Sequence, residues 1–300
     1  MSSLAITMAA GAGLDLALPT SASADTPKRV LVVTVTKGFR HSSIPTAERV
    51  IGDLAKQSGV FTVEYARVEP TDSQFKGADG KPDTNKVDAA IVQVLAEKMS
   101  PGALKNYDAI IFANTTGVLP LPDKAAFLKA IEGGMGFVGM HSASDTFHNK
   151  DSVDPYIAML GGEFQHHGNQ VGVDCVVCDS AFPATKQLGK TWPIKQEEIY
   201  LLKNYDPATV HELLVLDKQP NDGTPGRYPV SWAKMFGKGK VFYTSLGHRE
   251  DIWDTDPDLK DRINPVEVSE AYHQHILGGI LWALGLQSGD VAPRKNAASP

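Results

Sequence analysis

From Val30 to Thr36 the chain reads Val-Leu-Val-Val-Thr-Val-Thr, an unbroken run of aliphatic and β-branched residues. A run without polar alternation fits a strand covered on both faces, as in a parallel sheet flanked by helices. The residues that follow keep the same rhythm. Ser43-Ile44-Pro45-Thr46 opens a helix to about Ser58, with serine placed to cap it and proline in the first turn. Residues 61–68 read as a second strand, 72–86 as an exposed loop and 87–98 as an amphipathic helix. Residues 109–113 and 136–140 are short apolar strands separated by a helix at 123–132. This alternation predicts an α/β domain: three layers, with a mostly parallel sheet and helices on both faces.

The second half carries more strand, at 171–178, 210–217, 229–235 and 240–246. The last two are joined through Gly237-Lys238-Gly239, a hairpin signal. A closing helix is expected over 266–284. No repeat or linker divides the chain, so residues 29–286 read as one domain and the polar stretch 287–300 as a disordered tail. Residues 1–24 stand apart: they are rich in Ala, Ser, Leu and Gly, and end Ser21-Ala22-Ser23-Ala24. Small residues at positions −3 and −1 suit signal-peptidase cleavage after Ala24, although no basic residue precedes them. The expectation is a periplasmic or secreted protein, with a disordered leader on a cytoplasmic protein as the alternative.

Composition narrows the function classes. At 300 residues and 42% hydrophobic content the chain can bury a core without disulfides or structural metals. A net charge of −6 with no basic block argues against nucleic acid, and no apolar stretch reaches the roughly 18 residues of a membrane span. Cys175 and Cys178 form a C-x-x-C inside a β-branched run rather than at a helix start. They read as buried thiols, not as a redox or zinc motif. No Gly-x-Gly-x-x-Gly and no phosphate loop is present, so no nucleotide cofactor is expected.

In open α/β sheets the site forms at the carboxyl ends of the strands. Four strand ends are followed here by chemically capable side chains: Lys37 to Ser43, Asn114 to Gly117, His141 to Asp145, and Ser245 to Asp251. The stretch Gly161 to Gly168 adds His166 and His167. Six of the nine histidines (41, 141, 148, 166, 167 and 248) fall in or beside these loops, and such a concentration favours a functional site.

These loops also carry a resemblance. Gly-Phe-Arg-His-Ser-Ser-Ile at 38–44, Gly-Met-His-Ser-Ala-Ser-Asp-Thr at 139–146, Gly-Gly-Glu-Phe at 161–164 and Ser-Leu-Gly-His-Arg-Glu-Asp at 245–251 resemble the ThuA-like, or trehalose-utilisation, family. The resemblance spans about residues 29–285. It implies a class I glutamine-amidotransferase-like, flavodoxin-like fold and a role in sugar catabolism. Amidotransferases place a nucleophilic cysteine in a Gly-x-Cys-x-Gly elbow and a His-x-Glu after a late strand. Here Gly139-Met140-His141-Ser142-Ala143 and His248-Arg249-Glu250 stand in those places. An imidazole cannot form the thioester that glutamine hydrolysis needs, so glutaminase activity is not expected. Ser142 lies one place from the nucleophile position, which re-aims its side chain and disfavours a serine hydrolase.

Two mechanisms fit the residues. In one, His41, His141, His248 and one of His166 or His167 gather around a divalent metal such as zinc, although no tight ligand spacing marks the set. In the other, His141 or His248 is a general base partnered by Glu250 or Asp145. Lys37, Arg40, Asn114 and Ser142 then hold substrate oxygens, and Trp253 forms a pocket wall. Trp232 reads as core or as a sugar platform. One acid of Glu197-Glu198 can face the site, while Glu197 reads as solvated; His211, His273 and His275 read as structural or exposed. The expected activity is hydrolysis, elimination or isomerisation of a disaccharide or keto-sugar. The alternative is a non-catalytic carbohydrate-binding or sensing protein. Oligomeric state is not legible.

Overall fold

The computed structural model describes residues 26–148 and 152–293; the leader 1–24 lies outside the described residues. The first half runs β1 (Lys28–Val33), α1 (Ile44–Ser58), β2 (Phe61–Ala66), α2 (Thr84–Met99), α3 (Pro101–Leu104), β3 (Ala109–Ala113), α4 (Lys124–Glu132) and β4 (Gly136–Met140). The second runs α5 (Pro155–Leu160), β5 (Glu163–His167), β6 (Val171–Val177), β7 (Thr191–Glu197), β8 (Tyr200–Lys203), β9 (His211–Lys218), β10 (Pro225–Phe236), β11 (Gly239–Thr244), α6 (Glu250–Trp253) and α7 (Val266–Ala283). Helix α2 starts earlier than its apolar pattern suggests, because the Asp83 carboxylate caps it by accepting from the Asn85 and Lys86 N–H groups.

Nine strands form one sheet in the order β2-β1-β3-β4-β11-β10-β9-β6-β7, and β5 pairs with β8 in a small second sheet. From β2 to β11 every neighbouring pair is parallel. From β11 to β7 every pair is antiparallel. The expectation of a mostly parallel sheet therefore holds for one half only. Antiparallel neighbours can be joined by tight hairpins, as β10 and β11 are around Gly237, whereas each parallel step needs a long crossover.

The opening run behaves as its composition requires. Val30 and Val32 of β1 join a core cluster with Ala47, Ile51 and Leu54 of α1 and Ile276 and Ile280 of α7. Leu31 and Val33 point the other way, into a cluster with Ile91 and Leu95 of α2 and Phe127 and Ile131 of α4. The strand is thus buried on both faces, each large aliphatic side chain contributing roughly 1.5–3 kcal/mol relative to exposure.

The polar segment past 286 is tied down through its first residues. Trp282 Nε1–H donates to the Gly289 carbonyl (3.3 Å), His211 Nδ1–H donates to that of Ala292 (2.9 Å), and Val291 packs on the core. The expected loose tail is therefore part of the packed domain as far as these contacts reach; residues 294–300 lie outside the described residues. Trp232 is core, its Nε1–H donating to the Leu160 carbonyl (2.8 Å). Cys175 is buried, which pushes its thiol up to about 12, and the half-buried Cys178 Sγ accepts from Arg227 Nη2 (3.3 Å).

Candidate functional site

Parallel neighbours end on the same side of a sheet, so β1, β3, β4 and β11 deliver their following loops to one place. His41 comes from the first loop, Asn114 from the second, His141 from the third, and Ser245 to His248 from the fourth. Asn114 and His141 take left-handed backbone conformations (φ 56° and 47°), which turn the chain sharply as each strand ends. Asn114 Nδ2 donates to Ser43 Oγ (2.8 Å) and to the Gly247 carbonyl (3.1 Å), and Ser43 Oγ–H donates to the same carbonyl (3.2 Å). Ser43 therefore leaves α1 without a side-chain cap and links three strand-end loops instead.

His141 is fully buried. Its Nδ1–H donates to the Ser245 carbonyl (2.9 Å), so its Nε2 faces His41 Nε2 at 3.2 Å and His248 Nδ1 at 3.3 Å. Glu198, from the short link between β7 and β8, brings Oε2 to 3.2 Å from His248 Nδ1 and 3.7 Å from His141 Nε2. Its Oε1 lies 3.1 Å from Nδ1 of His167, which sits half-exposed at the rim. Ser142 Oγ is 3.3 Å from His41 Nδ1 and completely buried. The Tyr200 ring lies 4.4 Å from that of His141 and forms one wall.

Burial and neighbouring imidazoles push His41 down to about 4, and the same causes hold His141 well below its ordinary value. Burial is the largest single influence on His248 and opposes its charge, but the bond to Glu198 and the charges of Glu198, Glu197 and Glu250 together outweigh it and raise the pKa. The floor of the site is thus made of neutral imidazoles, with one ion-pair-forming imidazole nearer solvent.

Beside the cluster, His41 lines a cleft of about 240 Å³ with Ser42 and Thr71. That cleft shares Arg40, Pro45 and Glu69 with a larger one of about 800 Å³ carrying Glu48, Arg67 and Lys86.

The remaining candidates fall elsewhere. Lys37 pairs with Asp88 of α2, and Arg40 with Glu69 (2.7 Å) at the cleft wall. Asp145 lies 3.6 Å from His148, which is 3.4 Å from the buried carboxylate of Glu163, in a separate polar group. Burial raises the Asp145 pKa. Glu250 starts α6 and acts on His248 through its charge; the carboxylate in contact with His248 is Glu198. His166 is exposed on β5 and lines a different cleft with Tyr205 and Tyr228. Trp253 is wholly buried beneath the Gly247 turn, to whose carbonyl its Nε1–H donates (2.8 Å), so it is a buttress rather than a pocket wall. Glu197, expected to be solvated, is fully buried, and burial pushes it up to about 7 against three backbone N–H bonds. His275 and His211 are buried and structural, and His273 Nε2 lies against the Trp253 carbonyl.

A family model described as trehalose utilisation (ThuA) matches residues 29–283. No curated protein sequence matches the chain. Among solved structures, a ThuA-like protein from Bacteroides uniformis is similar at 18% identity with a TM-score of 0.59, over 88% of this chain and 95% of that one. A ThuA-like protein from Parabacteroides merdae is similar at 16% identity with a TM-score of 0.59, over 86% and 90% of the two chains. At these identities the likeness is one of fold.

Proposed function

The chain belongs to the ThuA, or trehalose-utilisation, family, and from that premise we propose that it is a sugar-processing enzyme whose chemistry runs from the cluster of His41, His141, His248 and Glu198. The observation that carries this reading is the convergence of four proton-transfer or ligating groups from four separate loops on one buried floor beside an open cleft. A purely structural sheet gains nothing from burying three imidazoles against one another. The substrate class we propose is a disaccharide or a keto-sugar derivative. The two clefts that share Arg40 alternate carboxylates with cationic side chains, which suits the many hydroxyls of a neutral sugar. The larger, at about 800 Å³, falls within the range of about 300–1,000 Å³ usual for small-molecule sites, and the smaller, at about 240 Å³, adjoins it beside His41.

The architecture we assign is the three-layer, amidotransferase-like one, supported by core clusters on both faces of the sheet. On it, the left-handed His141 takes the elbow position, which is why we exclude glutaminase chemistry. Ser142, although close to His41, is sealed from any substrate carbonyl. The half-exposed His167, whose Nδ1 stands 3.1 Å from Glu198 Oε1, is placed to carry protons between the floor and solvent. Export with cleavage after Ala24 is part of the same proposal, and N-terminal sequencing of the protein made by its host tests it.

Turnover of trehalose and of keto-disaccharides by wild type, His141→Ala and His248→Ala tests the function. Each substitution should lower turnover by roughly 10²–10⁴-fold, the usual range for a proton-transfer group. Full activity in either variant would remove the cluster from the mechanism. Sugar bound tightly yet recovered unaltered would support a sensing protein instead.

A further inference from the structure

One donor atom from each of His41, His141, Glu198 and His248 lies within 4.8 Å of every other. The separations between neighbouring donors are 3.2 Å (His41 Nε2 to His141 Nε2), 3.3 Å (His141 Nε2 to His248 Nδ1), 3.2 Å (His248 Nδ1 to Glu198 Oε2) and 3.7 Å (His141 Nε2 to Glu198 Oε2). Four ligands bound tetrahedrally at zinc-like distances stand about 3.3–3.4 Å apart, from simple geometry on bonds near 2.05 Å. The three rings meet almost at right angles, at 85°, 88° and 76°, so they present nitrogen atoms to a common space rather than stacking face to face.

The surroundings orient these donors as ligand shells do. The Ser245 carbonyl holds the Nδ1 proton of His141, which leaves the Nε2 lone pair directed at the common space. Glu198 turns Oε1 toward the rim, 3.1 Å from His167 Nδ1, and Oε2 inward toward His248 and His141.

We infer that His41, His141, His248 and Glu198 form a binding site for a divalent first-row transition ion of the zinc class. Three imidazole nitrogens and one carboxylate oxygen are borderline donors. They suit neither the oxygen cages of calcium and magnesium nor the thiolate-rich sites of softer ions. When bound, the ion supplies Lewis acidity beside the His41 cleft. The inference rests on the reading of this cluster as the site, but it requires nothing of the sugar.

The experiment is metal analysis of the full-length protein. The chain is stripped with a chelator, titrated with zinc chloride and with cobalt chloride, and checked for folding by circular dichroism. Wild type should take up about one ion per chain, and the cobalt form should show the visible absorption of a tetrahedral ion. His141→Ala should bind zinc more than roughly a hundredfold more weakly. Glu198→Gln and His248→Asn, which keep side-chain size and some hydrogen bonding, should do the same while remaining folded. Folded wild type that takes up neither ion, or folded variants that bind as wild type does, overturns the site. Stoichiometric metal without sugar turnover keeps the site and removes the proposed function. Undiminished sugar turnover by folded protein that takes up neither ion does the reverse.

Discussion

Glu197 and Glu198 are neighbours in the chain with opposite tasks. Glu197 closes β7, and the strand's alternation sends it one way while Glu198 turns the other way into the cluster. The Glu197 carboxylate accepts from the N–H groups of Gly247 (2.9 Å), His248 (2.6 Å) and Arg249 (3.3 Å), so one buried side chain fixes the loop that carries His248. Glu197→Ala leaves those donors without an acceptor and should cost about 2–4 kcal/mol, while Glu197→Gln keeps one acceptor oxygen and should cost less. Urea unfolding at neutral pH measures both; a loss below about 0.5 kcal/mol for the alanine variant would mean that the loop is held by other contacts, since that is the ordinary scatter of surface changes. The imidazoles of the site were legible in the sequence because each follows a strand of the parallel half. Glu198 was legible only as one of two acids. Which of them faces the cluster depends on how β7 pairs with β6, and that register shifts between Val171 and Val173, an irregularity that no alternation in the sequence marks.

Helix α7 shows how tightly the elements are fitted. A Cβ built on Gly278 would stand 2.2 Å from the Pro183 carbonyl oxygen, and one on Gly279 would stand 2.4 Å from the Phe242 ring. Ala is favoured over Gly in a helix interior by about 1 kcal/mol, but a clash with backbone cannot be relieved by moving a side chain. Gly278→Ala should therefore be destabilising by about 1–3 kcal/mol. Calorimetry should show Tm falling by several degrees, at about 2–4 °C per kcal/mol for a chain approaching this size; an unchanged or raised Tm would show that the Pro183 segment yields. At this scale, strands with strong local signals were readable: β3 and β4 coincide with their apolar runs. The strands β5, β7 and β8 were not. β5 is Glu-Phe-Gln-His-His and mostly exposed, so it carries a loop's composition. β7 buries Trp192 and Ile194 between exposed neighbours and contains Pro193, which weakens any strand signal.

The whole molecule joins a parallel half, assembled by helical crossovers, to an antiparallel half built of hairpins, and α7 packs across the join. His275 of that helix lies against Trp192 of β7 (ring centroids 5.8 Å apart) and Phe242 of β11 (5.3 Å), with Nδ1–H donating to the Ala184 carbonyl (2.8 Å). Burial pushes its pKa down to about 4 from an ordinary 6.5. The folded value lies below the unfolded one, so the unfolded chain is the state that gains the proton. Its contribution to stability is complete above about pH 6.5 and declines as the pH falls toward 4. Between pH 7.5 and pH 5 that decline amounts to about 2 kcal/mol from this residue alone. His41 and His141, also depressed by burial, add to the acid sensitivity of the apo protein, so the wild-type curve by itself cannot isolate the join. His275→Asn removes the titrating group and keeps a donor for Ala184. Urea unfolding of the metal-free protein at the two pH values should show wild type losing about 2 kcal/mol more than this variant. Equal losses would mean that His275 takes up its proton without opening the seam between the halves.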